Sequence, residues 1–559
     1  MSYCIDTTKN DSFTEGSFAE KFSYISSSSH VVFAELIDSL SKAHFQNLFW
    51  WISQTADRNT NRNSLFHNFC LVIAIKEICE TSNVPEKIFV GSAEIKKLIQ
   101  DVVGQNCPEI SVKQRKIPLK TSIKNFLRPL NFLLNKTLQW ALIKVFFKNN
   151  SYTKAINIIE TFVTSKDISI NRYYPNIEDF LPSEIQKITY YVPTIINSKI
   201  FNIPALITKF KQSKVKFLFR ESFLNWRDIL SAYMYLNYLP KTIIKPITYK
   251  GIDFSKIIAT SLNNETFNAL SAEGVLNYQF VKRMREQGME INQVIDWWEN
   301  TPMDKGLNLA LAKYFDQALI KGYLGFTPNI NAYELSPSVF EQESSVTPCQ
   351  IGVIGKGYDY IPKRIGPNQR VFVAPALRFH HLWKINNAAS KNTILVILTG
   401  FIDESIGILE MLLKINSRLK NEKIIIKTHP AVNTAVIRRG IVNPLPDNCV
   451  IAESESLSDL LAVAYVAISG LSSGALEAID CSVPAIVVQT KRNREIQMIP
   501  DKIPKYSWQE CSNHNELYKS IMIFKNSKEL STTLKKEATS IKDIYFNKPD
   551  KENVKNFLL

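Results

Sequence analysis

From residue 350 onward, short apolar runs alternate with helix-patterned stretches, and no other feature of the chain restricts its fold as tightly. The runs 350–354, 371–374, 393–398, 423–427, 449–452, 466–469 and 485–488 are rich in Val, Ile and Leu and read as strands. Between them, 404–419 sets Ile406, Leu409, Leu412, Leu413 and Leu419 along a helix face. A further helix starts at Ser456, with Asp459 three residues on as in a capping box. Apolar strands spaced by helices predict a doubly wound parallel sheet, which binds ligands beyond the carboxyl ends of its strands.

The chain has 559 residues, and at about 100–200 residues per domain it divides into roughly three units. Helical periodicity is present over 31–54 and 64–79, and a short strand at 87–90 precedes another helix. Strand candidates at 187–192 and 214–218 are followed by a helix at 276–287, a strand at 291–297, a helix at 304–319 and a strand at 321–326. That order predicts a second parallel α/β unit. The stretch 333–348 carries Pro337 and Pro348 among Ser and Glu without apolar period, and the domain boundary is expected there. The predicted organisation is a flexible tail over 1–30, a first domain over 31–345 and a second over 346–559 that ends in a terminal helix.

Residues 1–30 lack the basic flank and apolar run of a secretory leader, and no run of about 18 uncharged apolar residues predicts a membrane span. The eight cysteines form no Cys-x-x-Cys pair and read as reduced thiols, which together predicts a cytoplasmic protein. The net charge of +15 calls for an anionic partner. Much of it falls in 110–159, which holds ten Lys or Arg and no acid, interleaved with Phe126, Leu127, Leu130, Phe132, Trp140 and Phe146. The segment reads as a basic amphipathic insertion of one or two helices, broken near Pro129, that lies on an anionic membrane surface or packs on its own domain. No nucleic-acid-binding module accompanies the charge, so nucleic acid is not expected as a partner.

Three segments of the second domain lie just past strand ends. In the first, Gly400 opens a strand-to-helix turn whose N–H groups suit an anion. In the second, Lys427-Thr428-His429-Pro430 follows a strand, and Pro430 keeps His429 out of helical geometry and directs it toward the cleft. An imidazole there can donate a hydrogen bond or a proton to a departing phosphate oxygen; a loop-capping histidine is the plainer alternative. In the third, Ser469 and Gly470 lead to Ser472, Ser473, Gly474 and Glu477. Two hydroxyls and free N–H groups suit a phosphate and Glu477 suits a ribose diol, the alternative being an N-capping serine pair.

These motifs occur together in order. The Lys-x-His-Pro turn, the Ser-x-x-Ser-Ser-x-x-x-Glu-Ala turn and helix, and then Val483-Pro484 resemble the donor domain of bacterial GT-B glycosyltransferases. The resemblance is greatest to the sialyl, pseudaminyl and Kdo-type transferases of capsule and O-antigen assembly, which use CMP-activated acidic sugars. Residues 49–53, Asp57-Arg58-Asn59, Trp297-Trp298-Glu299-Asn300, Gly322-Tyr323 and 375–379 look like bacterial surface-carbohydrate biosynthesis proteins. One departure is Ser482, where such sequences carry Gly before the final Pro.

The resemblance implies a GT-B fold of two Rossmann-like parallel-sheet domains facing each other across a cleft. It also implies contacts from His429, Ser472 and Ser473 to the CMP phosphate, and from Glu477 to the ribose. Glu299, flanked by Trp297 and Trp298 at a strand end, is the candidate catalytic base beside His429; the alternative is a helix-start charge. Lys305 and Arg378 are candidates for the sugar carboxylate. No cofactor or metal is expected, because CMP is a ready leaving group and no Asp-x-Asp-type cluster stands at a strand end. The expected function is transfer of an acidic sugar to a hydroxyl of a growing surface glycan, whose acceptor can be lipid-linked. The alternatives are a CDP-glycerol or UDP-sugar transferase on the same fold, and a non-catalytic membrane-attached assembly protein.

Overall fold

The computed structural model describes residues 4–8, 17–59, 63–81, 84–104, 107–113, 119–147, 152–164, 168, 170–175, 177–196, 198–240, 246–384, 391–430, 432–452, 454–470, 472–489 and 498–559. Strands β1 (Cys4–Asp6), β2 (Lys87–Val90) and β3 (Glu109–Val112) form a small parallel sheet in that order. β4 (Ala155–Val163) and β5 (Thr189–Ile195) begin the first large sheet, and β6 (Thr248–Tyr249) and β7 (Ile252–Asp253) are a short antiparallel pair. β8 (Glu290–Trp297), β9 (Leu319–Leu324), β10 (Gln350–Val353) and β11 (Arg370–Val373) complete the first sheet, whose order is β11-β10-β9-β8-β4-β5. The second sheet comprises β12 (Thr393–Ile397), β13 (Lys423–Lys427), β14 (Cys449–Ala452), β15 (Ala464–Ser469), β16 (Ala485–Val488) and β17 (Trp508–Cys511), in the order β14-β13-β12-β15-β16-β17.

Every pairing within the two large sheets is parallel. β5 and β12 are buried along their whole length, as strands covered by helices on both faces must be. The last helices, Lys528–Tyr545 and Lys551–Leu558, return from the second domain to the first. Lys321 on β9 donates to the Phe557 carbonyl at 2.8 Å, and the Tyr323 and Phe557 rings lie 4.9 Å apart. One buried cluster runs from Ile295, Trp297 and Ile351 of the first sheet to Leu395 and Ile397 of the second and Leu476 of the helix Gly474–Asp480. Two Rossmann-like domains joined in this way form a GT-B architecture.

Three parts of the organisation differ from the sequence expectation. β10 and β11 pair into the first sheet, which therefore extends to Val373, well past the expected boundary near 346. The turn-rich stretch before them is internal to the domain, with Ser336, Ser338 and Glu341 buried. Within the expected tail, Ser17–Ser28 is a helix that buries Phe18, Phe22 and Ile25, an i, i+4, i+7 stripe obscured by serine-rich composition. Residues 110–159 are no single insertion, because they contain the end of β3, one helix from Leu119 to Phe146 running through Pro129, and the start of β4, a central strand. That helix is anchored by its second half, where Ile143 is buried and the Trp140 indole donates to the Leu224 carbonyl at 2.8 Å. Its first half is exposed, with Phe126 at 82%. Among the described residues no helix is long and apolar enough to cross a membrane.

Candidate functional site

Each large sheet has one point where chain order reverses, between β4 and β8 in the first and between β12 and β15 in the second. Helices leave in opposite directions there and open a crevice at the carboxyl ends of the strands.

At the second crevice, β12 runs into Leu398, Thr399 and Gly400, and the Thr399 hydroxyl donates to buried Glu404 at 2.6 Å. A Cβ at Gly400 would lie 3.5 Å from the His429 ring, an ordinary contact distance, so the imidazole lies directly over this turn. Burial pushes the His429 pKa down, and the nearby guanidinium groups of Arg172 and Arg378 push it further. At neutral pH the imidazole is therefore uncharged, with one ring N–H donor and one acceptor nitrogen.

Arg172 ends a 3-10 turn beyond β4, and Arg378 lies in the 3-10 segment Leu377–Trp383. Arg378 stacks over Trp297 with its guanidinium carbon 5.7 Å from the ring centroid, and burial lowers its pKa. The Trp297 indole N–H donates to the Glu299 carboxylate at 3.2 Å. First-domain Arg172, Trp297, Glu299 and Arg378 thus gather at the cleft with His429 from the second.

Beyond β15, Ser472 Oγ accepts the Gly474 N–H at 3.2 Å, which leaves its own proton to donate. The Ser473 hydroxyl donates to one Glu477 oxygen at 2.9 Å, and His381 Nε2 holds the other at 2.9 Å. Glu477 is thus occupied by protein partners, and its expected ribose contact would require releasing one of them. Gly474 serves packing, since a Cβ there would lie 2.9 Å from Ile397 of β12. Ser469 is fully buried under the turn and directs its hydroxyl at the Ile397 carbonyl at 3.4 Å.

Two expected site residues lie elsewhere. Lys305 is fully buried in the first domain, where Nζ pairs with Glu341 at 2.7 Å and donates to the Ala56 carbonyl. A first-turn lysine beside a strand end looks like a ligand residue in sequence, but this one answers an internal carboxylate. Lys427 spends its ammonium on the Glu455 carbonyl at 2.6 Å, tying β13 to the loop after β14.

Sequence reasoning missed Arg172 and His381. His381 had a usable signal, because it lies two residues beyond the 375–379 motif. It also missed three buried carboxylates beneath the first crevice, Glu160 on β4, Asp296 on β8 and Asp304, whose oxygens lie within 4.8 Å of one another. They come from three separate segments, so no local Asp-x-Asp-type motif announces them. Burial, then repulsion from Asp296, raises the Glu160 and Asp304 pKa values well above normal, and burial raises that of Asp296. They are the residues with the donor chemistry to hold a cation, although Asp296 is bonded to Asn308 at 3.0 Å. Asp304 also accepts the N–H groups of Glu299 at 3.0 Å and Thr301 at 2.7 Å, which fixes the turn carrying Glu299.

No protein-family model matches the chain, and no curated protein matches it. Solved structures similar to it include MnaA of S. aureus in a co-structure with UDP, at 12% identity and a TM-score of 0.42, covering 73% of this chain and 95% of that one. CalG4, the calicheamicin glycosyltransferase, is similar at 10% identity and a TM-score of 0.42 over 73% and 98% of the two chains. The glycosyltransferase SnogD from Streptomyces nogalater is similar at 11% identity and a TM-score of 0.39 over 73% and 99%.

Proposed function

We propose that the chain is a GT-B glycosyltransferase that moves an acidic sugar, of nonulosonate or Kdo type, from a CMP donor to a hydroxyl of a growing bacterial surface glycan. The observation that carries this reading is the convergence of Arg172, Arg378 and His429 at the mouth of the second sheet, opposite Glu299. A CMP-activated acidic sugar carries two anions, its phosphate and its carboxylate, and two guanidinium groups, the exposed Arg172 and the half-buried Arg378, match that pair.

In this reaction the acceptor oxygen forms a bond to the anomeric carbon as the bond to the CMP phosphate oxygen breaks. Glu299 takes the acceptor proton and later returns it to solvent. His429 and the Ser472 hydroxyl hold the phosphate as charge develops on it, in a setting whose dipoles are already oriented. Arg378, stacked on Trp297, pairs with the sugar carboxylate. The phosphate leaves as a monophosphate between cationic side chains, so the chemistry runs without metal. The reading includes a cytoplasmic location and an anionic membrane surface as a partner of the first domain.

Calorimetry with CMP, CDP and UDP tests the donor assignment. CMP is expected to bind tightest, with affinity reduced about 10- to 100-fold in His429→Ala, as for loss of one charge-assisted hydrogen bond of roughly 1.5–3 kcal/mol. Tighter UDP or CDP binding, or CMP binding unchanged in that variant, refutes it.

A further inference from the structure

The first half of the Leu119–Phe146 helix stands apart from the body of the protein. Ile123, Phe126, Leu127, Leu130 and Leu134 are between 45% and 82% exposed, a concentration of bare apolar side chains that water does not favour. Arg128 in the same turns forms no ion pair among the described residues, and the surrounding sequence is basic and free of acids. Where this arm joins the body there is a pocket of about 790 Å³.

Arg128, Asn131, Asn135 and Lys136 of the helix line one wall of that pocket, and Ala269 and Glu273 line another. Ala269 opens the 18-residue helix Ala269–Glu286; Asn268 Oδ1 accepts the Leu270 N–H at 2.9 Å, and the positive end of the helix dipole still favours an anion there. Glu273 adds no free charge, being paired with Lys136 at 2.6 Å and Arg220 at 2.7 Å. Asn135 is 8% exposed, and its side-chain oxygen has no partner although its amide nitrogen bonds Asn131. A buried acceptor of this kind calls for a hydroxyl donor. Ile195 and Ile196 of the lining lie at the carboxyl end of β5, the same end of the sheet at which β8 presents Trp297 and Glu299.

We propose that the arm and the pocket at its root bind one lipid-linked sugar phosphate at a membrane surface. The apolar face of the arm enters the bilayer, and the pocket takes the polar head. Arg128 and the helix start at Ala269 hold the phosphate, and Asn135 accepts from a sugar hydroxyl. This lipid is the acceptor of the transferase reading, on which the assignment of its role rests. The membrane contact narrows to the first half of the helix, because the second half is packed against the domain.

The test measures partition of the full-length protein onto phosphatidylcholine vesicles, alone or doped to equal charge with phosphatidylglycerol or a polyprenyl phosphoglucose. The protein is expected to prefer charged over neutral vesicles, and the phosphoglucose over phosphatidylglycerol by about tenfold, the equivalent of one or two hydrogen bonds. The double variant Phe126→Asp, Leu130→Asp loses partition onto both. Arg128→Glu weakens both by about 25-fold, roughly fivefold per unit of charge. Ala269→Trp, at an exposed position, fills the pocket and abolishes only the preference for phosphoglucose. Equal binding to neutral vesicles, unaltered binding by the double variant, or a preference that survives Ala269→Trp overturns the proposal. CMP affinity, measured on the same preparations, is expected to be equal in all of them. If wild type binds no CMP the transferase reading falls, while the lipid site is still decided by the vesicles.

Discussion

Replacing Lys305 with Ala separates a structural lysine from a substrate ligand. Its ammonium has no exposure, and besides Glu341 and the Ala56 carbonyl it lies 5.6 Å from the Trp51 ring centroid. Breaking a buried pair by removing one partner costs about 3–5 kcal/mol. Glu341 keeps Arg58 and the Ser338 N–H, which places the expected loss near the lower end, about 3 kcal/mol. Urea unfolding followed through the buried Trp50 and Trp51 reads this directly. The pair's cations hold the Glu341 carboxyl below its usual range despite burial. Its stabilisation is therefore present above the unfolded carboxylate pKa and lost as pH falls through the folded value, so the Lys305→Ala deficit shrinks in acid. A loss below about 1 kcal/mol, accompanied by collapse of donor binding, would refute the reasoning and return Lys305 to the site.

Glu299→Gln is expected to slow transfer about 10²- to 10⁴-fold with CMP affinity unchanged, as for loss of a general base, and steady-state rates beside calorimetry check it. Glu160 keeps its proton when folded, so wild type loses stability as pH rises from the unfolded value of 4.5 toward the raised folded one. Glu160→Gln does not titrate, and denaturation at several pH values should show it gaining on wild type from pH 5 to pH 8. His429 is held neutral by burial and two arginines, and a bound phosphate opposes that. CMP binding is thus expected to take up protons in acidic buffer in wild type and not in His429→Ala, as measured by calorimetry in buffers of differing ionisation heat.

Much of the second domain was legible because most of its strands are short apolar runs rich in Val and Ile; the predicted 423–427, 449–452 and 485–488 coincide with β13, β14 and β16. β17, with the sequence Trp-Gln-Glu-Cys, is an edge strand of mixed polarity and gave no such signal. The domain boundary was misplaced because turn-rich composition resembles a linker whether or not its serines are buried as caps. His429, Gly400 and Ser472 stand out in the sequence by local turn chemistry, and the structure places the His429 ring 3.5 Å from where a Gly400 Cβ would lie. The pairing of Glu477 with His381 spans 96 residues, and Lys305 faces Glu341 from another segment. Such partners are set by tertiary packing, to which local pattern is blind. The apolar stripe of the Ser17–Ser28 helix was visible in principle, but its serines were read as a tail.

The most direct test of the central claim is a crystal structure with CMP bound. The account predicts the CMP phosphate over Gly400, within hydrogen-bonding distance of His429 and the Ser472 hydroxyl and facing Arg172 and Arg378. Nucleotide lodged anywhere else, or a phosphate contacting none of these side chains, contradicts it.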